Sequence, residues 1–236
     1  EDMAAGAIRA AITDSGLSFE DVQEAYASYV YGDSTCGQVA MYEVGLTGVP
    51  IINVNNNCAS GSTALWQARK AIAGGEVDVV LAFGFEQMRP GALGGHWDDR
   101  TAPSIPHFTK LQASYGIETG APMAAQLFGG AGKAHMEKFG TSAEAFALIS
   151  VKARQHAAKN PNAVFRDLVT VEEVMASPHQ YGPLTRLQCC PPTSGGAAGV
   201  LVGAHSPRRT DIKAPPRLHR DASPRLAWVR TLPLRV

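Results

Sequence analysis

Apolar positions recur with a helical period over residues 3–13, where Met3, Ala4, Ala7, Ile8, Ala11 and Ile12 share one face and Gly16 supplies a stop. Ser18 and Asp21 have the spacing of a capping box for a short helical turn. The pattern then switches. Residues 25–31, AYASYVY, are aromatic and β-branched enough to predict a strand; 39–46, VAMYEVGL, predict a short helix ending near Gly45; IINV at 51–54 predicts a strand entered from Pro50. Helical period returns over 59–73 through Ala64, Leu65, Ala68 and Ile72, with Gly74 and Gly75 as the stop. VDVVLAF, 77–83, is nearly all apolar, as a strand buried on both faces must be. This alternation predicts an α/β fold with parallel strands joined by crossover helices. The opening helix has no strand ahead of it in the sequence, and a doubly wound unit would supply one, so a strand is expected before residue 1.

Residues 86–195 read differently. They are rich in Gly, Pro, His and Thr early on and helical later. Thr141 with Glu144 predicts a helix start, running to about Lys159 and closed by Asn-Pro-Asn; Thr170 with Glu173 predicts a second, short helix. AAGVLVGA, 197–204, reads as a strand returning to the first sheet. The organisation expected is therefore a core over 1–85, a long excursion over 86–195, and a returning strand over 196–204. Excursions of that length are usually functional. Residues 205–236 hold five prolines and no sustained period, and are expected to be disordered or non-native.

Charge changes the picture little. The formal net charge is zero, but residues 205–236 hold eight basic and two acidic residues, which leaves 13 basic and 19 acidic in 1–204. An acidic body argues against a nucleic-acid partner, which would need a basic face. No apolar run approaches the ~20 residues of a membrane span, and the first residues do not have the form of a signal peptide. Four irregularly spaced cysteines fit a reducing compartment, so the cytoplasm is expected, or the peroxisome in a eukaryote.

The candidate chemistry sits in NNNCASGS, residues 55–62. Cys58 falls where strand 51–54 gives way to helix 59–73. A helix start carries a partial positive charge and unpaired N–H groups, which favour a thiolate and can steady an oxyanion. Ala59, Ser60 and Gly61 are small enough to let a substrate approach. Acyl transfer through a thioester is the chemistry this points to; the competing reading is a cysteine that only packs. Cys36 is placed on a loop. Cys189 and Cys190 are adjacent, which suits neither a useful disulfide nor metal ligation, and are read as structural. Met123 is read as core packing. His135 and His156 are placed on helices with no catalytic role. Residues 129–133, GGAGK, lack the spacing and the preceding strand of a phosphate loop.

YVYGDSTCGQ, GVPIINVNNNCASGSTALWQARKAIAGGEVDVVLAFGFEQM, GGAGKAHMEKFGT, NPNAVFRD, EVMASP and LQCCPPTSGGAA together resemble the thiolase family, and within it the sterol-carrier or lipid-transfer branch. The resemblance runs from the start to about residue 204. It implies a layered αβαβα fold of which this chain is the N-terminal half, incomplete, with 86–195 as the inserted loop region over the active site and in contact with CoA. It implies Cys58 as the acylated nucleophile of an acyltransferase working on 3-ketoacyl-CoA, acetyl-CoA and CoA in lipid or sterol side-chain degradation. It implies no metal and no redox cofactor, CoA being a co-substrate, and a homodimer or a partner subunit as the assembly; it also offers Cys36 a place on the dimer surface near the active site and Met123 one at the border of the acyl pocket, as alternatives to the loop and core-packing readings. The alternative is a non-catalytic lipid- or CoA-binding subunit that needs a partner. The family's base is a histidine in Gly-His-Pro, with a second cysteine also in the second half. None of the seven histidines here (His96, His107, His135, His156, His179, His205, His219) stands in that motif, and Gly195 stands where many thiolases have Asp. Little turnover is expected from this chain alone. Asn57 before the cysteine and Ala59 after it separate the motif from the related ketosynthases.

Overall fold

The computed structural model of the chain describes residues 2–90, 97–101, 105–116, 120–203, 226–228 and 232–234. It divides into two compact units, Glu1–Ala92 with Thr193–Val236, and Leu93–Pro192.

The first unit opens with helix α1 (Asp2–Ser15), the helix expected at 3–13. A 3-10 turn, Phe19–Asp21, follows, and Asp21 Oδ2 accepts the Ser18 N–H at 2.9 Å as the capping spacing predicted. Strand β1 (Glu24–Ser28) ends earlier than expected, because Tyr29 leaves the ladder and stacks on Phe85 with ring centroids 5.3 Å apart. Helix α2 (Cys36–Tyr42) begins three residues before its apolar period does. Thr35 is left-handed at φ 67°, and the Cys36 N–H bonds to Asp33 O, so a turn rather than the hydrophobic pattern sets that start. Cys36 is thus on a helix, not the loop expected. Strand β2 (Ile51–Val54) and helix α3 (Ser60–Gly74) lie where predicted, with Gly75 at φ 78° closing α3.

Strand β3 (Val79–Glu86) runs three residues beyond the expected 77–83, because its last residues continue to pair. The partner is the second unit's neighbour in sequence, β6 (Gly195–Gly203), antiparallel from Val79↔Val202 to Glu86↔Gly195. The sheet order is β2-β1-β3-β6, with β2, β1 and β3 mutually parallel. Two short strands fall within 205–236, where no regular element was expected: β7 (Leu226–Trp228) and β8 (Leu232–Leu234) each pair antiparallel with β6.

Strand alternation decides what each face buries. Ala25, Ala27, Val79, Leu81, Phe83, Ala198, Val200 and Val202 form one cluster with Ala4, Ala7, Ile8 and Ala11 of α1 and Ala40 and Met41 of α2. Tyr26, Val54, Val80, Ala82 and Leu201 form the other with Ala64, Ala68, Ala71 and Ile72 of α3. Helices therefore cover both faces, which explains the unbroken apolar run in β3. The alanines of α1 permit close approach: a Cβ on Gly196 would lie 2.6 Å from Met3 O.

The second unit is built from α4 (Ile105–Tyr115), α5 (Met123–Phe139), α6 (Ala143–Ala157), α7 (Val171–Ala176) and the hairpin of β4 (His179–Tyr181) with β5 (Leu184–Thr185). The GGAGK stretch is interior to α5. Its glycines serve contact: a Cβ on Gly129 would lie 2.6 Å from Tyr181 O, and one on Gly130 would run into the Tyr115 ring. The box at Thr170 forms as predicted, Glu173 N–H to Thr170 Oγ1 at 3.1 Å and Thr170 N–H to Glu173 Oε2 at 2.8 Å. The predicted start at Thr141 is off by one. Ser142 is the cap residue of α6, and Thr141 Oγ1 instead meets His135 Nε2 at 3.0 Å. Among the described residues no helix is long and apolar enough to cross a membrane.

Candidate active site

Three parallel strands end along one edge of the sheet, and in an open α/β sheet that carboxyl edge is where ligands bind. Cys58 stands there, four residues past the end of β2, and its side chain is exposed. The turn that carries it is knitted by its own polar residues. Asn55 Oδ1 accepts the Asn57 N–H at 3.2 Å. Asn57 takes a left-handed conformation, φ 47°, which asparagine tolerates better than most residues. The Ser60 hydroxyl accepts the Asn56 N–H at 2.8 Å and donates to Asn57 O at 2.6 Å, while the Ser60 N–H bonds to the same carbonyl at 3.0 Å. Asn56 Nδ2 donates to Thr63 Oγ1 at 3.0 Å, and that hydroxyl donates to Ala59 O at 2.9 Å. The turn is thereby fixed to the first turn of α3, and Cys58 projects from it.

The cap residue of α3 is Ala59, which has no side-chain oxygen to offer the N–H groups of the helix start. Cys58 immediately precedes it. The N–H groups of Ala59 and Ser60 are taken by Asn56 O at 3.1 Å and Asn57 O at 3.0 Å, so the thiol stands at a helix start whose first two donors already serve the turn.

Two residues that sequence reasoning did not single out, Tyr31 and Glu86, stand at the carboxyl ends of β1 and β3 on the same edge. Val30 N–H donates to Glu86 Oε2 at 2.9 Å, joining the end of β1 to the end of β3. Tyr31, the next residue, is half-buried. Burial holds its phenol above the usual tyrosine range, and the charges of Cys58 and Glu86 push it the same way. Ser60 was read only as small; it is 4% exposed, and its hydroxyl closes the turn. No local pattern marks Glu86, because its partner is 56 residues away. Ser60 carried a weak signal, since serine at a helix start often bonds locally.

The other cysteines are elsewhere in their settings. Cys36 is half-buried at the start of α2. Cys189 Sγ lies 3.6 Å from Thr185 O, and burial pushes its thiol up, with Cys190 adding to the effect. Met123 begins α5 and is 40% exposed, so it is not the core residue expected. His135, on α5, is exposed and packs its ring 4.7 Å from that of Phe139; His156 is on α6. His96, His205 and His219 lie outside the described residues. Among the described residues no group of three or more His, Cys, Asp or Glu is arranged to hold a metal ion.

The family model described as thiolase, N-terminal domain, matches residues 1–185. Sterol carrier protein 2 of Homo sapiens is 49% identical over 202 residues, 85% of this chain and 37% of that protein. Benzoylsuccinyl-CoA thiolase subunit BbsB of Thauera aromatica is 31% identical over 198 residues, 84% of this chain and 49% of that one. Among solved structures, the Ltp2-ChsH2(DUF35) aldolase aligns with a TM-score of 0.70 and 26% identity, covering 92% of this chain and 53% of the other. The chain spans about two fifths to one half of the curated relatives' length. By the family match and the extent of this similarity, the chain belongs to the thiolase family, whose N-terminal domain it carries.

Proposed function

We propose that Cys58 accepts an acyl group and that the protein is a thiolase-type acyltransferase acting on 3-ketoacyl-CoA and CoA, in the breakdown of lipid or sterol side chains. The observation that carries this reading is an exposed thiol at the carboxyl edge of three parallel strands, held at the start of α3, in a chain of the thiolase family.

In the degradative direction the Cys58 thiolate attacks the keto carbon, and the carbonyl electron pair moves onto oxygen. As the carbonyl reforms, the bond between the keto carbon and the α-carbon breaks. Its electron pair leaves with the CoA-bearing fragment, which takes up a proton and departs as acetyl-CoA. The thiolate of a second CoA then attacks the Cys58 thioester, carries off the acyl chain and returns the cysteine. The N–H groups of Gly61 and Ser62, next along the start of α3 after those that close the turn, are the donors this reading offers to the oxyanions. The proton transfers need acid and base groups, which the family resemblance assigns to a Gly-His-Pro histidine and a second cysteine. No Gly-His-Pro occurs in this sequence, and no second cysteine is assigned that role. Acylation without sustained turnover is therefore the expected behaviour of the 236-residue chain.

The test is intact-mass analysis after incubation with acetoacetyl-CoA, followed by peptide mapping. An acetyl adduct on Cys58, absent in Cys58→Ala, is expected. A folded chain that forms no adduct overturns the reading, and rapid CoA-dependent turnover overturns the expectation that another base is needed.

A second reading is favoured by the similarity to the Ltp2-ChsH2(DUF35) aldolase, whose name joins two components. Here the chain is a thiolase-like subunit that binds CoA or lipid and works with a partner subunit or a second copy of itself. Stoichiometry by light scattering, on the chain purified with its neighbours, separates the two. A lone monomer with no affinity for CoA sinks the second.

A further inference from the structure

The segment Tyr29–Tyr31, just past the end of β1, is tied down twice. The Tyr29 ring stacks on Phe85 at 5.3 Å, and the Val30 N–H is held by the Glu86 carboxylate at 2.9 Å. Both anchors belong to the last two residues of β3. The strand register accounts for the meeting: Ser28 is opposite Gly84, so residues two further along each parallel strand, 30 and 86, fall side by side. The approach is close, since a Cβ on Gly84 would lie 3.0 Å from Ser28 O. Past these anchors the next side chain is Tyr31, half-buried; Ser28 is also opposite Val54, so Tyr31 and Cys58 follow paired positions of neighbouring parallel strands by three and four residues and leave the sheet at the same edge.

The Val30 N–H donates to a half-buried carboxylate at a strand end rather than to a ladder partner, so this side chain fixes the chain where the sheet no longer does. We propose that Glu86 is a positioning residue: through the Val30 N–H it fixes Tyr31 beside Cys58, and the tyrosine ring limits the bulk of what reaches the sulfur. The inference rests on Cys58 being the acyl acceptor for its meaning, but its geometry is testable without acyl chemistry. Glu86 touches neither sulfur nor substrate in this scheme. It acts through the backbone at residue 30, and its charge is incidental.

The experiment compares the alkylation rates of Cys58 by iodoacetamide and by a bulky aromatic maleimide, with the modified residue identified by mass spectrometry. The readout is the ratio of the bulky to the small rate. Glu86→Asp keeps the charge but draws the carboxylate back by one methylene, and is expected to raise the ratio severalfold, as is Glu86→Ala. Glu86→Gln keeps the length and an oxygen acceptor for the Val30 N–H, and is expected to leave the ratio unchanged. Tyr31→Ala is expected to raise it as much as Glu86→Asp does, and the double variant no further, because both changes remove one wall. An unchanged ratio in Glu86→Asp overturns the proposal. So does a Gln variant that behaves like Asp's, or additive effects in the double variant. The acetoacetyl-CoA adduct is measured on the same samples. Loss of the adduct in the wild-type chain would count against the acyltransferase reading, while the ratios would still decide the role of Glu86.

Discussion

The two units of this chain are held together by different physics. In Glu1–Ala92 with Thr193–Val236, the sheet buries an apolar cluster on each face, and Leu81, Val79, Val80, Val200, Leu201 and Val202 are all but sealed from solvent. In Leu93–Pro192 the buried apolar residues among those described are Ala125, Ala147, Val174 and Tyr181, whereas Phe128, Phe139, Leu148, Ile149 and Leu168 are exposed. What that unit has instead is backbone approached through glycine, and hydrogen bonds. Tyr181 Oη donates to Tyr115 O at 3.0 Å and also lies against Gly116 O. Side-chain burial therefore sets the stability of the first unit, and close approach with capping sets that of the second. The candidate site belongs to the first, where a rigid scaffold can hold a thiol and its turn in place.

The sharpest way to break this comparison is to cut the core of the first unit. Leu81 is central in β3 and fully buried in the cluster under α1 and α2. Leu81→Ala is expected to cost about 2–5 kcal/mol, read by denaturant unfolding with far-ultraviolet circular dichroism. A cost below 1 kcal/mol, roughly that of a surface change, would mean that the sheet is not what holds the unit.

Alkali provides the next test. Tyr26 is 8% exposed in the cluster under α3, and burial is the first cause holding its phenol well above the usual range, with Glu24 adding to it. A phenol that keeps its proton more tightly when folded stabilises the fold in full below the unfolded value of about 10. That contribution is lost as the pH climbs from there toward the raised folded value. The first unit is expected to lose stability with rising pH above that point, and Tyr26→Phe is expected to flatten the loss. Phenolate absorbance measured alongside circular dichroism would show whether Tyr26 ionises only as the unit opens.

The same contrast explains how far the sequence could be read. β2, α3 and most of β3 were legible because apolar residues at a helical period, or in an unbroken run, have one physical outcome when both faces of a sheet are covered. The start of α2 was not, because a left-handed Thr35 sets it. In the second unit a helix was expected at His135, which is α5, but its bounds were not legible: its glycines lower helix propensity and make sense only once Tyr181 and Tyr115 lie against them. Within the site, Cys58 was visible because the period changes at it. Ser60 was visible only as a small residue, since its hydroxyl acquires two partners only when the Asn55–Asn57 turn has formed. Glu86 had no sequence signal at all: its bond exists because strand register brings residue 30 to it.

Within the second unit, paired glycine substitutions sharpen the comparison. On propensity alone Gly→Ala inside α5 should gain about 1 kcal/mol. At Gly129 the new methyl would meet Tyr181 O at 2.6 Å, backbone that cannot swing aside, and overpacking costs about 1–3 kcal/mol. At Gly132 the nearest atom is Pro183 Cγ at 3.2 Å, a ring that can yield slightly. Gly129→Ala is expected to lower the thermal midpoint and Gly132→Ala to leave it level or raise it. If both raise it, close backbone approach is not what the second unit depends on.

The smallest effect tests capping. Thr170 gives α7 one of its two reciprocal bonds, from the Glu173 N–H, while the Glu173 carboxylate returns the other to the Thr170 N–H. Thr170→Ala removes the first and leaves the second geometrically intact, so the expected cost is about 1 kcal/mol. Thr170→Ser keeps the hydroxyl and should restore nearly all of it. Val174, which α7 buries completely, also supplies the carbonyl that Thr185 Oγ1 bonds at 2.6 Å. Fraying of α7 should therefore reach the β4–β5 hairpin. Hydrogen exchange is the measurement with the needed resolution: amides of 171–176 and of the 179–185 hairpin should exchange faster in the Ala variant, while those of β1 and β3 keep their protection. Equal acceleration in β3 would mean that one cooperative core governs both units, and the division between a unit held by burial and a unit held by caps and close backbone would fall.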